Sequence, residues 1–400
     1  MGIRQRNQQT AITDIGIIGG GQLAWMMGPA AQKLGLTLHI QTPQATDPAG
    51  AIAHHTVLAP VADSHATQRL AQGCQVITFE NEFVDLPGLQ VLQDQGILFA
   101  PRLSALAPLL DKYEQRCYLR QLGLPTPDFV ALGDVPWNPG EPVPNPLGFP
   151  AVLKARRHGY DGRGTTVVQT QGQLDALVNP VGTEPFLLEA YVPFERELAV
   201  MIARSPQGEV QPYTIVETQQ RQQVCQVVLA PAAVAPDVAT TIAQYSKTLM
   251  IALDAVGIFG LELFLTPDGQ ILVNEVAPRT HNSGHYTLDA CHTSQFEQQL
   301  RAVAGLPLGD PGLTCGGAVM VNLLGFEDGP ADYGDRRAAL AALPQAHVYW
   351  YGKTESRSGR KLGHVTVTCA SLEELQQQWR AIVYRIEALW YGPNTPPTAP

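Results

Sequence analysis

Two glutamates raise the first chemical question. Gly260-Leu261-Glu262-Leu263-Phe264 and Val273-Asn274-Glu275 are apolar, strand-like runs. Between them, Thr266-Pro267-Asp268-Gly269-Gln270 has the residues of a hairpin turn. A turn centred near Asp268 sets Glu262 opposite residues 273 to 275, so Glu262 and Glu275 become cross-strand neighbours. Like charges held opposite each other destabilise a sheet by up to about 1 kcal/mol. Partial burial worsens this unless a cation lies between them. Two carboxylates completed by phosphate oxygens form an oxygen-only ligand set, which suits Mg2+. The alternative is a pair of solvated glutamates on a sheet face.

Other clusters carry charge or free amides. Lys154 ends an apolar run and precedes Arg156, Arg157 and Gly159-Tyr160-Asp161-Gly162-Arg163-Gly164, with three glycines in six residues. Such a loop can cover a triphosphate with its N–H groups while the lysine adds a point charge; it can also be a basic hairpin turn. Ala277-Pro278-Arg279-Thr280-His281-Asn282-Ser283-Gly284-His285 is dense in hydrogen-bonding groups. His281 and His285 are four apart, but Asn-Ser-Gly between them disfavours the helix that zinc binding would need. Binding of an anionic or polyhydroxyl substrate suits the loop better; a capped turn with surface histidines is the plain alternative. Four cations fall between Lys353 and Lys361, out of character for so charge-poor a chain. Either they form a solvated turn, or Lys353 and Arg360 hold a substrate phosphate. Finally, Gly19-Gly20-Gly21-Gln22-Leu23-Ala24 follows a β-branched run and fits a pyrophosphate turn. The acid that a dinucleotide site wants about 20 residues later is absent, since that position reads Ile40-Gln41-Thr42. A sterically tight turn and a single-phosphate site remain open there.

These groups need elements to position them. The 400 residues suggest two or three domains. Ile15–Ile18, Leu36–Ile40 and Val76–Phe79 read as strands alternating with helices, which implies a doubly wound parallel α/β domain from about 11 to 110. A helix over Asp111–Leu122 closes at Gly123 and Pro125. Eight prolines from Pro125 to Pro150 mark a connector outside the packed core. Strands at Ala151–Ala155, Thr165–Gln169 and Phe186–Leu188 suggest a small α+β unit. Longer strands follow at Glu197–Ile202 and Val224–Leu229, then a helix near 236–255, the hairpin at 258–277, and an amphipathic helix at 372–388. The tail PNTPPTAP is expected to fray.

Composition excludes several classes. The net charge of −10 argues against nucleic-acid and anionic-membrane partners. No apolar stretch is long enough to span a membrane. The polar opening MGIRQRNQQT does not read as a signal peptide. Six dispersed cysteines without a CxxC pair point away from zinc clusters and disulfide scaffolds, and toward a reducing, cytoplasmic setting.

In order, GGGQL, Lys154 before GYDGRG, EAYV, the hairpin ending in Asn274-Glu275, APRTHNSGH and GRKLGH resemble the ATP-grasp superfamily. Within it they resemble the N5-carboxyaminoimidazole ribonucleotide synthase family of purine biosynthesis. The likeness runs from about Ile15 to Val367. It implies an ATP-grasp architecture of mixed α/β and α+β type. Residues 1–112 would form a Rossmann-like domain, 113–193 a central lid domain, and 194–400 a C-terminal domain with a β-rich end. It implies an ATP-dependent ligase, dimeric by family expectation, that joins bicarbonate to 5-aminoimidazole ribonucleotide, with ATP and Mg2+. By motif, Lys112 and Lys154 would contact ATP, and Gly159, Tyr160, Asp161, Gly162, Arg163, Gly164 and Thr165 would cover its phosphates. Glu189, Ala190, Tyr191 and Val192 would meet adenine, Glu197 the ribose, and Gln220 and Asn274 other parts of the nucleotide. Glu262 and Glu275 would hold the metal. Arg279, His281, Asn282, Tyr160 and Asp161 would be catalytic, and Gln22, Glu80, Ser283, Lys353 and Arg360 would shape the substrate pocket. Three departures stand out: Lys112 and Arg116 exchange the family's Arg and Lys, Asn81 and Phe83 are transposed after Glu80, and Gln220 replaces a frequent histidine.

Overall fold

The computed structural model describes residues 11–157, 159, 164–221 and 223–392. The terminal tail expected to fray lies outside them. The first domain is built on a parallel sheet of β1 (Asp14–Ile18), β2 (Thr37–Thr42), β3 (His55–Leu58) and β4 (Val76–Phe79), in the order β3-β2-β1-β4. Both faces are apolar, as a doubly covered parallel sheet requires. Ile15, Ile17, Leu38 and Ile40 pack on one side with the helices Gln22–Trp25 and Gly28–Leu34. Ile18, Val57, Ile77 and Phe79 pack on the other with Ser64–Leu70 and Leu86–Asp94.

The second sheet is antiparallel: β5 (Phe129–Ala131), β6 (Ala151–Ala155), β7 (Thr165–Val168) and β8 (Phe186–Ala190), ordered β5-β8-β6-β7. Here the proline-rich connector departs from expectation. Phe129–Ala131 pairs with β8, and Leu132 and Val143 are fully buried with Leu153, Val168 and Leu174. Proline fixes φ without preventing the residues beside it from packing, so this stretch supplies part of a core.

The third sheet is the largest. Its strands are β9 (Arg196–Arg204), β10 (Val210–Pro212), β11 (Val216–Arg221), β12 (Val224–Ala230), β13 (Gly257–Leu265), β14 (Ile271–Ala277) and β15 (Gly317–Leu324). A two-stranded ribbon of β16 (Gly329–Pro330) and β18 (Glu355–Ser356) flanks β17 (Ala346–Trp350) and β19 (Lys361–Cys369). The main path is β14-β13-β9-β11-β12-β15-β19-β17, with β10 also on β9. On one face the helix Pro236–Ala252 buries Val238, Ile242, Leu249 and Met250 against Phe259, Leu261 and Leu263. Helix Leu372–Tyr391, capped by Ser371, likewise buries Leu375, Val383, Ile386 and Trp390 against the β12, β15 and β19 side. Each such aliphatic side chain contributes about 1.5–3 kcal/mol when removed from water. The other face near β13 and β14 is left for polar groups.

Candidate active site

The hairpin has the expected pairing. Glu262 lies directly opposite Glu275, and a bulge follows between Glu262 and Leu263. Alternation along β13 sends Leu261 and Leu263 into the core and leaves Glu262 and Phe264 on the opposite face, half-buried. The carboxylates keep 27% and 39% exposure, so the cleft opens to solvent beside them. Burial, then Glu275 and Glu197, push the Glu262 carboxyl up. Glu275 moves the other way: burial opposes its charge, but Lys112, 2.8 Å from its Oε1, overrides that. Asn274 lies between the two partners, accepting from Lys154 Nζ at 3.2 Å and donating to Glu262 Oε2 at 3.4 Å.

Helix Lys112–Gln121 brings two cations to this cleft. Asp111 caps it, its Oδ1 accepting from the Tyr113 N–H at 2.9 Å. The same carboxylate binds Arg156 Nε at 3.1 Å and Arg157 Nε at 3.0 Å, tying the helix to the segment after β6. One turn on from Lys112, Arg116 Nε meets Glu189 Oε1 at 2.7 Å, while Lys154 Nζ meets Glu189 Oε2 at 2.8 Å. All three are buried. Despite burial, the two cations hold Glu189 down to about 2. Burial lowers the Lys154 ammonium, with Glu189 working against it. Glu197 faces the same cleft; burial raises its carboxyl, and a Gln220 hydrogen bond offsets part of the rise.

A second group of acids enters from the first domain. Arg279 forms a bidentate pair with Glu82, at 2.5 Å and 2.8 Å. Glu80 lies inside the glycine-rich turn, where a methyl at position 19 or 21 would collide with its carboxylate. Burial pushes Glu80 up to about 7, against Arg279 and the Gly21 and Leu23 amides. The turn's amides therefore serve a carboxylate of this chain, and the pyrophosphate position is filled. Next to Arg279, the His281 ring has Nε2 3.6 Å from Glu262 Oε1 and Nδ1 3.0 Å from Ser283 Oγ. Asn282 and Asn322 exchange two amide hydrogen bonds, at 3.0 Å and 2.7 Å.

Comparison with known proteins shows the family. The chain matches three families: the ribonucleotide synthetase preATP-grasp domain over residues 12–108, the ATP-grasp domain over 117–296, and the phosphoribosylaminoimidazole carboxylase C-terminal domain over 318–378. It is 54% identical over 386 residues to the N5-carboxyaminoimidazole ribonucleotide synthase of Synechococcus elongatus, covering 96% of this chain and 97% of that one. The chain belongs to the N5-carboxyaminoimidazole ribonucleotide synthase family. The synthase of Synechocystis is 52% identical, covering 96% of this chain and 99% of its own. A crystal structure of the Aspergillus clavatus synthase with ATP superposes with a TM-score of 0.86 at 30% identity, covering 94% of this chain and 99% of that one. The Thermotoga maritima structure gives 0.79 at 37%, covering 92% and 96%. The architecture is accordingly ATP-grasp with a preceding α/β domain, and the family's members are ATP-dependent ligases.

Within this family frame, the structure gathers Lys112, Lys154, Glu189, Glu197, Gln220, Glu262, Asn274, Glu275 and His281 around one cleft. Arg279 and Glu80 adjoin it. Val192 is buried and Tyr191 is 42% exposed; Ala190 ends β8. Gln22 opens the helix beside the Glu80-filled turn. Gly164, at φ 77°, accepts from the Ala155 N–H, and Thr165 pairs with Lys154. Tyr160, Asp161, Gly162 and Arg163 lie outside the described residues. Lys353 Nζ donates to the Lys361 carbonyl at 2.7 Å, and Arg360 Nη1 to the Glu355 carbonyl at 2.7 Å.

Four groups were absent from the expected set. Arg116 is the counter-ion of Glu189; its spacing of four from Lys112 already put both on one helix face. Glu82 follows Glu80 at the strand-alternation distance. Lys361 is buried and acts on Glu262 electrostatically. Asn322 carried no sequence signal.

Proposed function

We propose that this chain carboxylates 5-aminoimidazole ribonucleotide with bicarbonate at the cost of ATP, giving N5-carboxyaminoimidazole ribonucleotide, ADP and phosphate. The observation that carries the reading is the Glu262–Glu275 cross-strand pair, with Asn274, Lys112 and Lys154 around it. A synthase of this family has been crystallised with ADP and 5-aminoimidazole ribonucleotide, which supports the substrate assignment.

Bicarbonate is a poor electrophile. An oxygen of bicarbonate attacks the γ-phosphorus, the bond to ADP breaks, and carboxyphosphate forms. The exocyclic amine then takes the carboxyl carbon, phosphate leaves, and the amine gives up a proton. Positioning and charge neutralisation do most of this work. Lys154 supplies charge to the transferred phosphoryl group, while Arg116 stays with Glu189 as that lysine turns toward it. Arg279 and His281 hold the bicarbonate oxygens. Glu80, with its carboxyl near neutrality, takes the amine proton.

The Glu262 and Glu275 carboxylates fit a divalent ion. They are paired across the two strands, and burial followed by the Glu275 charge raises the Glu262 carboxyl. Among the described residues no cluster of three or more His, Cys, Asp or Glu could hold an ion, and the two carboxylates would be joined by the nucleotide's phosphates. Glu262 and Glu275 would hold Mg2+, which would supply charge neutralisation to the phosphates. Family resemblance also underlies the proposals of a homodimer and a cytoplasmic enzyme, which sedimentation and cell fractionation test. The reaction itself is tested by phosphate release with aminoimidazole ribonucleotide, with and without added bicarbonate. Release that ignores bicarbonate would remove the proposal.

A further inference from the structure

The His281 loop has few hydrogen bonds of its own, Gly284 N–H to the His281 carbonyl at 3.0 Å and His285 N–H to the Asn282 carbonyl at 3.1 Å among them. After Ala277 ends β14, one 3-10 turn over Asn282–Gly284 is its only regular element among the described residues. What grips it comes from elsewhere in the chain. Helix Gln295–Val303, capped by Ser294, begins with a glutamine whose side chain is fully buried. Gln295 Oε1 accepts from the His281 N–H at 2.9 Å, and its Nε2 donates to the His281 carbonyl at 2.8 Å. Both polar groups of one residue's main chain are thus held by one amide, as a neighbouring strand would hold them. The same Nε2 lies 3.2 Å from His285 Nδ1, at the other end of the turn.

Gln295 is itself fixed. Its N–H donates to Thr287 Oγ1 at 2.9 Å, and that hydroxyl donates to the Gly284 carbonyl at 2.6 Å. Gly284 has no room for a side chain, because a Cβ would fall 2.7 Å from Gln295 Oε1. The amide therefore lies flat against the turn. Its bonds hold the His281 main chain, and with the Ser283 contact to Nδ1 they fix where the ring projects, 3.6 Å from Glu262 Oε1.

We propose that Gln295 is a positioning residue for the carboxylation step. It fixes the His281 main chain so that the imidazole faces the bicarbonate position beside Glu262. The proposal rests on the reading of His281 as a bicarbonate contact. Gln295 is fully buried behind the loop, so its effect passes through the residues it holds, His281 first.

The test is a double-mutant cycle on the full-length enzyme. Gln295→Met keeps the volume and removes both main-chain hydrogen bonds. We expect it to raise the bicarbonate KM about tenfold and leave the ATP KM within about twofold. His281→Ala should show the same selective defect. The double variant should match His281→Ala alone. Thr287→Val removes only the hydroxyl behind Gln295; it should give the same signature at smaller size, and it serves if Gln295→Met fails to fold. Gln295→Glu keeps one acceptor for the His281 N–H and should recover part of the loss.

Losses that multiply in the double variant would overturn the role of Gln295 while leaving His281 in place. So would a Gln295→Met defect falling equally on ATP and bicarbonate. Wild-type parameters in His281→Ala would remove the bicarbonate role of His281 and this proposal with it.

Discussion

At the residue scale, the site balances charge through pairs that ligands must rearrange. Lys112 neutralises Glu275, while Glu262 has the more raised carboxyl and no ion pair with a lysine or arginine among the described residues. Removing one carboxylate keeps the fold but loses the phosphate-side partner of the ion. Glu275→Gln should therefore lower ATP turnover by about 10²-fold or more, with a lower melting temperature near pH 7 because the Lys112 ion pair that holds its carboxyl down is lost. Phosphate-release kinetics and a thermal melt check both halves together. Glu80 gives a pH prediction. Its folded-state carboxyl is raised to about 7, so the charged form that accepts a proton is lost as pH falls through that value. The carboxylation rate should fall on the acid side of about pH 7, and Glu80→Gln should be slow with that limb absent. A variant that keeps the same acid limb would assign the titration to another group. Lys353 belongs at this scale too: Lys353→Ala should raise the ribonucleotide KM several-fold with ATP-dependent parameters little changed. An unchanged ribonucleotide KM in steady-state kinetics would count against its contact with substrate.

At the element scale, Asp111 does three jobs with one carboxylate: it caps helix Lys112–Gln121 and binds Arg156 and Arg157. Asp111→Ala should cost about 2–4 kcal/mol by urea denaturation, from the lost cap and two stranded guanidinium partners. It should also raise the ATP KM, since Lys112 and Arg116 ride on that helix. Although burial opposes it, the hydrogen bonds and charges of Arg156 and Arg157 hold the Asp111 carboxyl below its ordinary value. Its contribution is therefore present above about pH 4, the unfolded carboxylate range, and is lost as pH falls through the lower folded value. A wild-type minus Asp111→Ala stability difference that grows toward low pH would contradict this. The elements also show what a sequence displays and what it conceals. The hairpin was legible because Pro267, Asp268 and Gly269 fix the turn and set Glu262 opposite residues 273 to 275; the bulge that puts Glu275 directly against it was not. Helix boundaries at Asp111 and Gly123 were legible from capping chemistry. At the glycine-rich turn a steric role and a phosphate role both stayed open in the sequence; the glycines make room for Glu80, a residue about 60 positions away that no local pattern reports. The helix at Gln295 was opaque for a related reason. Ser294-Gln295-Phe296-Glu297-Gln298-Gln299 has the polarity of a surface helix, yet Gln295, Glu297, Gln298 and Gln299 are all buried. Only tertiary partners make that tolerable.

At the scale of the whole molecule, that buried helix explains why the first domain and the third sheet act as one frame. Its apolar side places Phe296, Leu300 and Val303 in the same core as Ile15, Ile17 and Leu38, where Tyr351 joins them. Its polar side bonds to both partners. Gln299 Nε2 donates to Thr78 Oγ1 at 2.8 Å, two residues before Glu80, and its Oε1 accepts from Ile258 N–H at the start of the Glu262 strand. Glu297 binds Lys33 of the first domain at 2.7 Å. Gln299 thus ties the strand before Glu80 to the strand that carries Glu262, alongside the Arg279–Glu82 pair. The architecture has a thermodynamic consequence. A fragment ending near residue 110 would expose one entire face of its parallel sheet's helical layer, because Phe296, Leu300, Val303 and Tyr351 are no longer there to cover it. Losing four large buried side chains at about 1.5–3 kcal/mol each removes stabilisation comparable to that of a small domain. The fragment should therefore lack a cooperative melt, lose near-ultraviolet circular dichroism and bind hydrophobic dyes. The full chain should unfold with Glu80 and Glu262 regions in a single transition by hydrogen exchange. A fragment that melts cooperatively near the full-length temperature would show instead that the two acids belong to independently folded bodies, and Gln299→Leu would then leave the ribonucleotide KM untouched.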